Sequence, residues 1–260
     1  MNKILEYLCK LLNIAILRLP RGNNIVVLKS SGIVPKLSHC TFIGDRFLTT
    51  HHVGFFKDEK FVKSFHGAFE KIPQELADQA KKDIAWRAHI CTWAATQAIS
   101  LPEGDFVECG VWYGVLSKTI CEYTDFAKED RNFYLIDNWG EISGFHSNDN
   151  YSEDIYDLVR ERFSKYPNVN FIRGIVPDIL SVVDPKVKKI AYLAIDMNGS
   201  EPERSTLELF YDRIVPGGII YFDDYGWGYP KLRKVINNFL KDKPETLLHF
   251  PSGNSIIVKV

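Results

Sequence analysis

The 260-residue chain has little charge imbalance, few cysteines and no long apolar run, and each shortage excludes a class of protein. Lysine and arginine total 32 against 33 acids, a net charge of −1, so no basic field marks nucleic acid or an anionic membrane as a partner. A small or neutral substrate fits better. Cys9, Cys40, Cys91, Cys109 and Cys121 are scattered and form no C-x-x-C pair, which supports neither a disulfide framework nor a zinc knuckle and suits a reducing cytoplasm. His39, Cys40, His51 and His52 are soft ligand types, but their spacing matches no zinc finger. Near the start, Glu6, Lys10 and Arg18 interrupt the apolar residues, so neither a leader peptide nor a transmembrane segment is expected there. Internal repeats and low-complexity tracts are missing too. With 45% hydrophobic and 25% charged residues, the composition is that of a folded globular protein.

What is present divides near residue 100. Residues 1–100 read as an N-terminal helical extension, and 101–260 as a cofactor-binding catalytic domain. Ile4, Leu8, Leu11, Leu12, Ala15 and Leu19 recur at helical spacing, which predicts an amphipathic helix that docks on its own domain or on a second subunit in a homo-oligomer. From 24 to 61 no period holds. Good helix formers between Pro73 and Ile99 predict one long helix, ended by Pro102 and Gly104. Beyond it the pattern becomes regular. DFVEC, NFYLID, VNFIR, KIAYLAID and GGIIYFDD alternate with helical segments, which implies an α/β, Rossmann-like sheet wound through right-handed crossovers. TLLHF and SIIVKV flank Pro251, Ser252, Gly253 and Asn254, so the end reads as an antiparallel hairpin and the sheet as seven-stranded and mostly parallel.

In such sheets ligands lie beyond the carboxyl ends of the strands. The first of these strands ends in Glu108, followed by Gly110 and Gly114, which suit a tight turn and a close backbone approach. Glu108 puts a carboxylate where a cationic amino-acid cofactor needs one. The G-x-G-x-x-G spacing of a dinucleotide site is absent. Asp137, ending the second strand, suits ribose hydroxyls or a helix or turn cap; Gly174 and Asp178 suit the adenine edge, with an N-cap as the other reading of Asp178. Asp196 ends the fourth strand, and Asp223 and Asp224 end the fifth. Neighbouring strands lie about 4.8 Å apart, so three carboxylates meet and would repel one another without a partner. A hard divalent cation resolves the conflict. The competing readings are a cap on the helix after Tyr229 for Asp223 or Asp224, and metal-free substrate binding for Asp196.

These residues resemble those of the macrocin O-methyltransferase family, whose metal-dependent members methylate sugar hydroxyls with S-adenosylmethionine. The likeness covers residues 85–238 and rests on Glu108-x-Gly110-x-Trp112-x-Gly114, on Asp137 opening a lid loop, on Gly174 to Asp178, on Asp196 with Pro216-Gly217-Gly218, and on Asp223-Asp224-Tyr225-Gly226. It implies a class I methyltransferase fold, magnesium or another hard divalent cation on Asp196, Asp223 and Asp224, and S-adenosylmethionine on Glu108, Asp137 and Asp178. Gly110, Trp112, Gly114, Asn138 and Gly174 complete the expected cofactor site. The lid reads Asp137-Asn138-Trp139-Gly140-Glu141 where the family usually has Asp-Ser-Phe-Glu-Gly, and Asp196-Met197-Asn198 replaces Asp-Leu-Tyr, so the acceptor is left open. Pro251-Ser252-Gly253 is similar to relatives associated with bacterial surface-glycan clusters.

The expected chemistry is in-line methyl transfer to a hydroxyl of a sugar, a glycan or a glycosylated natural product, with Asp196 or His146 of the 143–151 loop as base. Trp139, Phe145 and Tyr151 would cover the site or simply pack the loop down. The rival readings are a NAD(P)-dependent oxidoreductase and an inactive methyltransferase-like assembly module.

Overall fold

The computed structural model describes residues 14–18, 25–29, 39–45, 47–140, 155–228 and 230–260. The chain divides into two compact units, 1–43 with 48–53 and 44–47 with 54–260. In the first, β1 (Ile14–Arg18) pairs antiparallel with β2 (Ile25–Lys29), Ile14 opposite Lys29 and Arg18 opposite Ile25. The amphipathic helix expected over the first twenty residues is therefore corrected at 14–18. Both segments are short and rich in β-branched residues, which favour a ladder over a helix, and helical spacing over so few residues does not outweigh a partner strand. β3 (Phe42–Gly44) and β4 (Phe47–Thr49) bracket Asp45.

The second unit begins with a helix the sequence period did not reveal, Glu59–Gly67, whose start is fixed by Asp58 accepting a hydrogen bond from the Phe61 amide at 3.1 Å. The long helix expected after Pro73 is two helices, Gln74–Asp83 and Ala85–Ile99, broken at Ile84 where the backbone turns to φ −125°, ψ 11°. β-Branched Ile84 has a low cost outside the helix, and the break redirects the chain onto the sheet. There Ala88, Ala94, Ala95 and Ala98 are fully buried, their small side chains letting the helix lie close. Its carbonyl end is satisfied by Arg131, whose guanidinium donates to Ala98, Ile99, Leu101 and Gly104.

The sheet has seven strands: β5 (Asp105–Cys109), β6 (Phe133–Asp137), β7 (Val169–Arg173), β8 (Ile190–Ile195), β9 (Ile214–Phe222), β10 (Leu248–His249) and β11 (Ser255–Val258). Their order is β10-β11-β9-β8-β5-β6-β7; β5 to β9 pair in parallel, and the last two strands close one side as an antiparallel hairpin. This is the α/β, Rossmann-like, mostly parallel seven-stranded sheet expected from the alternation of strands and helices. The central strands are buried on both faces and therefore read as continuous apolar runs. The register aligns Phe222, Ile195, Cys109, Ile136 and Ile172 in one row across five strands. The residue after each is Asp223, Asp196, Gly110, Asp137 and Arg173, so strand pairing puts four of the expected site residues side by side.

Candidate active site

The row at the carboxyl edge is stitched by backbone hydrogen bonds. Asp223 N donates to Ile195 O at 3.0 Å, Asp196 N to Cys109 O at 2.8 Å, Gly110 N to Ile136 O at 2.9 Å and Gly174 N to Asp137 O at 3.0 Å. The loops are so close at Gly110 that a Cβ there would sit 1.7 Å from the Asp196 carbonyl oxygen, and φ is +86°. Gly114, at φ +71°, has the Phe163 ring 2.7 Å from where its Cβ would be. Both glycines are thus demanded by protein packing before any ligand is considered.

Asp137 holds this loop. One carboxylate oxygen accepts from Val111 N at 2.6 Å and Trp112 N at 2.9 Å, and the other accepts from Trp139 N at 2.9 Å. Trp112, at φ +52°, also receives the Trp139 indole N–H on its carbonyl at 3.0 Å. Trp139 is fully buried against Tyr156 and Phe171, so of its two expected readings it packs the loop down and does not cover the site. Asn138 Oδ1 accepts from Gly140 N at 2.8 Å, a local turn. Asp178 is exposed, and the helix Leu180–Val183 that follows takes Ile179, not Asp178, as its cap. His146, Phe145 and Tyr151 lie outside the described residues.

Glu108 is 2% exposed and its Oε2 has no hydrogen-bond partner among the described residues. Burial pushes its carboxyl up to about 8, with Asp137 and Asp223 adding to the rise and a Ser117 hydrogen bond opposing it. An ammonium group is the partner such an acceptor fits.

At the ends of the next two strands, Asp196, Asp223 and Asp224 each offer one carboxylate oxygen within 4.8 Å of the others. Among the described residues no other group of His, Cys, Asp or Glu could hold a metal, so His39, Cys40, His51 and His52 form no such cluster. The donor set is all oxygen, which fits a hard cation. Burial, then the charges of Asp223 and Asp224, hold the Asp196 carboxyl well above the usual range, while Arg87 opposes them.

Asp223 is not bare. Its Oδ1 accepts from Tyr221 Oη at 2.6 Å and from Asn254 Nδ2 at 3.1 Å, and its Oδ2 accepts from Arg87 Nη1 at 2.8 Å. Asn254 comes from the terminal hairpin turn and Arg87 from the first turn of Ala85–Ile99; the sequence pattern pointed to neither. Glu203, in the helix Ser200–Phe210, is 1% exposed with Oε1 unpartnered among the described residues. Burial, then Asp224 and Asp223, raise its carboxyl to about 9, so it stays protonated at neutrality.

Comparison with known proteins identifies the family and the fold. A family model described as Macrocin-O-methyltransferase (TylF) matches residues 90–246, more than half of the chain. No curated protein matches the sequence. The structure of the O-methyltransferase NovP is 19% identical and superposes with a TM-score of 0.59 over 80% of this chain and 100% of that one. CalS11, described as a TDP-rhamnose 3'-O-methyltransferase of calicheamicin biosynthesis, is 16% identical with a TM-score of 0.52 over 80% of this chain and 96% of its own. The SAH-bound Podospora anserina methyltransferase PaMTH1, 16% identical, gives 0.51 over 76% and 87%. At these identities the structural likeness carries the fold.

Proposed function

The chain belongs to the macrocin O-methyltransferase family, and from that membership we propose that it moves the methyl group of S-adenosylmethionine to a hydroxyl of a sugar or glycosylated small molecule. Family membership makes it an O-methyltransferase. The observation that carries the finer reading is the presence of two different acidic sites at the carboxyl ends of neighbouring strands: a lone buried Glu108 just before the glycine loop, and a trio of aspartates on the next two strands.

In this reading Glu108 receives the ammonium group of the methyl donor, whose charge offsets the burial of the carboxylate. Asp137 keeps the loop backbone from 111 to 112 in shape where the ribose would lie. Asp196, Asp223 and Asp224 would hold magnesium or another hard divalent cation, which when bound supplies Lewis-acid activation and a template for neighbouring sugar oxygens. Transfer forms the O–CH3 bond and breaks the S–CH3 bond, the electron pair remaining on sulfur. The hydroxyl proton passes to a base, for which Asp196 and His146 are the candidates.

Calorimetry tests the donor site. S-adenosylmethionine or its demethylated product should bind, and Glu108→Gln should weaken that binding at least about tenfold, the effect of losing one charge-assisted bond. Tight binding of NADH, with none of S-adenosylmethionine at millimolar concentration, would establish the oxidoreductase reading instead.

A further inference from the structure

Arg87 is fixed at the edge of the aspartate trio by more contacts than a solvent-facing arginine makes. Its side chain is 13% exposed. Nη1 donates to Asp223 Oδ2 at 2.8 Å, Nε to Asp45 Oδ1 at 3.1 Å and Nη2 to the Asp83 carbonyl at 3.3 Å, while the guanidinium lies over the Trp227 ring at 5.0 Å. Asp45 is held in turn by the Trp86 amide at 3.2 Å. A planar fork divided between two carboxylates is arginine's geometry, and lysine cannot reproduce it.

Charge then gives the contact a meaning. Three aspartates and a dication sum to one negative charge. Arg87 cancels it, and Asp45 sets how much of Arg87's charge the trio feels. We propose that Arg87 is a positioning residue of the cation site, a resident positive charge that orients Asp223 and, tempered by Asp45, sets how tightly a divalent cation is held. The inference rests on reading the trio as a cation site. It differs from a purely structural role in its sign. If the Arg87–Asp45 pair only props up the chain, neutralising either partner leaves cation affinity unchanged or lowers it through disorder. If Arg87 is resident charge, removing it leaves Asp223 uncompensated and attracts the dication more strongly, whereas neutralising Asp45 exposes the trio to more of Arg87's charge and weakens binding.

Manganese titration of the full chain, followed by electron paramagnetic resonance, separates these outcomes. Arg87→Met should bind Mn2+ at least about fivefold tighter than the unaltered protein, and Asp45→Asn at least about threefold more weakly, a modest share of the Coulomb interaction of neighbouring charges. Arg87→Met should also melt lower without metal and recover more of that loss when Mn2+ is added. Arg87→Gln, uncharged and still polar, keeps the test open should Arg87→Met not fold, because it too should bind Mn2+ more tightly, a sign that disorder cannot produce. Equal or opposite-signed changes in affinity overturn the role of Arg87. No Mn2+ binding by the unaltered protein at millimolar concentration would overturn the cation site itself, a distinguishable failure.

Discussion

Asp223 receives three side-chain hydrogen bonds, and this changes the expected effect of neutralising it. Three bare carboxylates would relax when one charge is removed. Here Asp223→Asn sets an amide against the donors that surround the carboxylate, and it costs Arg87 one of its two ionic partners. The cation-free variant should therefore unfold about 1–3 kcal/mol more easily while keeping its circular dichroism spectrum. Turnover should fall at least about 100-fold, the scale of a metal-activated hydroxyl. Glu203 behaves in the opposite sense. Its carboxyl titrates near 4.5 when unfolded and at about 9 when folded. Between those values the native state holds more protons than the unfolded chain, so stability declines as pH rises through that window. Glu203→Gln removes the decline: its melting temperature should match the parent near pH 4.5 and exceed it increasingly toward pH 9, and a constant difference across that range would contradict the assignment. The strand-end acids were legible in the sequence because a strand's last residue has a fixed place in an open sheet. Arg87, Asn254 and Glu203 were not, because their relation to Asp223 is set by packing between segments up to 136 residues apart.

The strands were legible as elements, since a doubly covered sheet needs runs of apolar residues and each run is bounded by turn chemistry. The amino-terminal third was not. β1 and β2 are five residues each, too short for a period to discriminate helix from strand, and the break at Ile84 follows from docking the helix Ala85–Ile99 on the sheet. The helix Ala85–Ile99, on the amino-terminal side of the expected boundary, carries Arg87, which donates to Asp223. At this scale Gly110 is the sensitive point, because β5 and β8 meet there with no room for a side chain. Gly110→Ala should lose at least about 2 kcal/mol, from positive φ and from the overlap with the Asp196 carbonyl, read as a lower urea midpoint. A midpoint equal to the parent's would show that the loop is free to shift.

For the whole molecule, the even charge balance and the lack of any described helix long and apolar enough to cross a membrane leave an active end in which charge is concentrated, not spread. Asp45, Asp196, Asp223 and Asp224 gather around one arginine, Arg87, which pairs with Asp45 and Asp223, an excess of acid that favours cationic ligands. A cationic methyl donor therefore belongs at the glycine loop and a divalent cation at the aspartate trio, with a hydroxylated acceptor between them. The most direct measurement is intact-mass analysis of sugar nucleotides and glycans incubated with the protein and S-adenosylmethionine, in magnesium and in excess EDTA. The account predicts an acceptor that gains the mass of one CH2 unit in magnesium and at least about 100-fold more slowly in EDTA; methylation at the full rate in EDTA would contradict it.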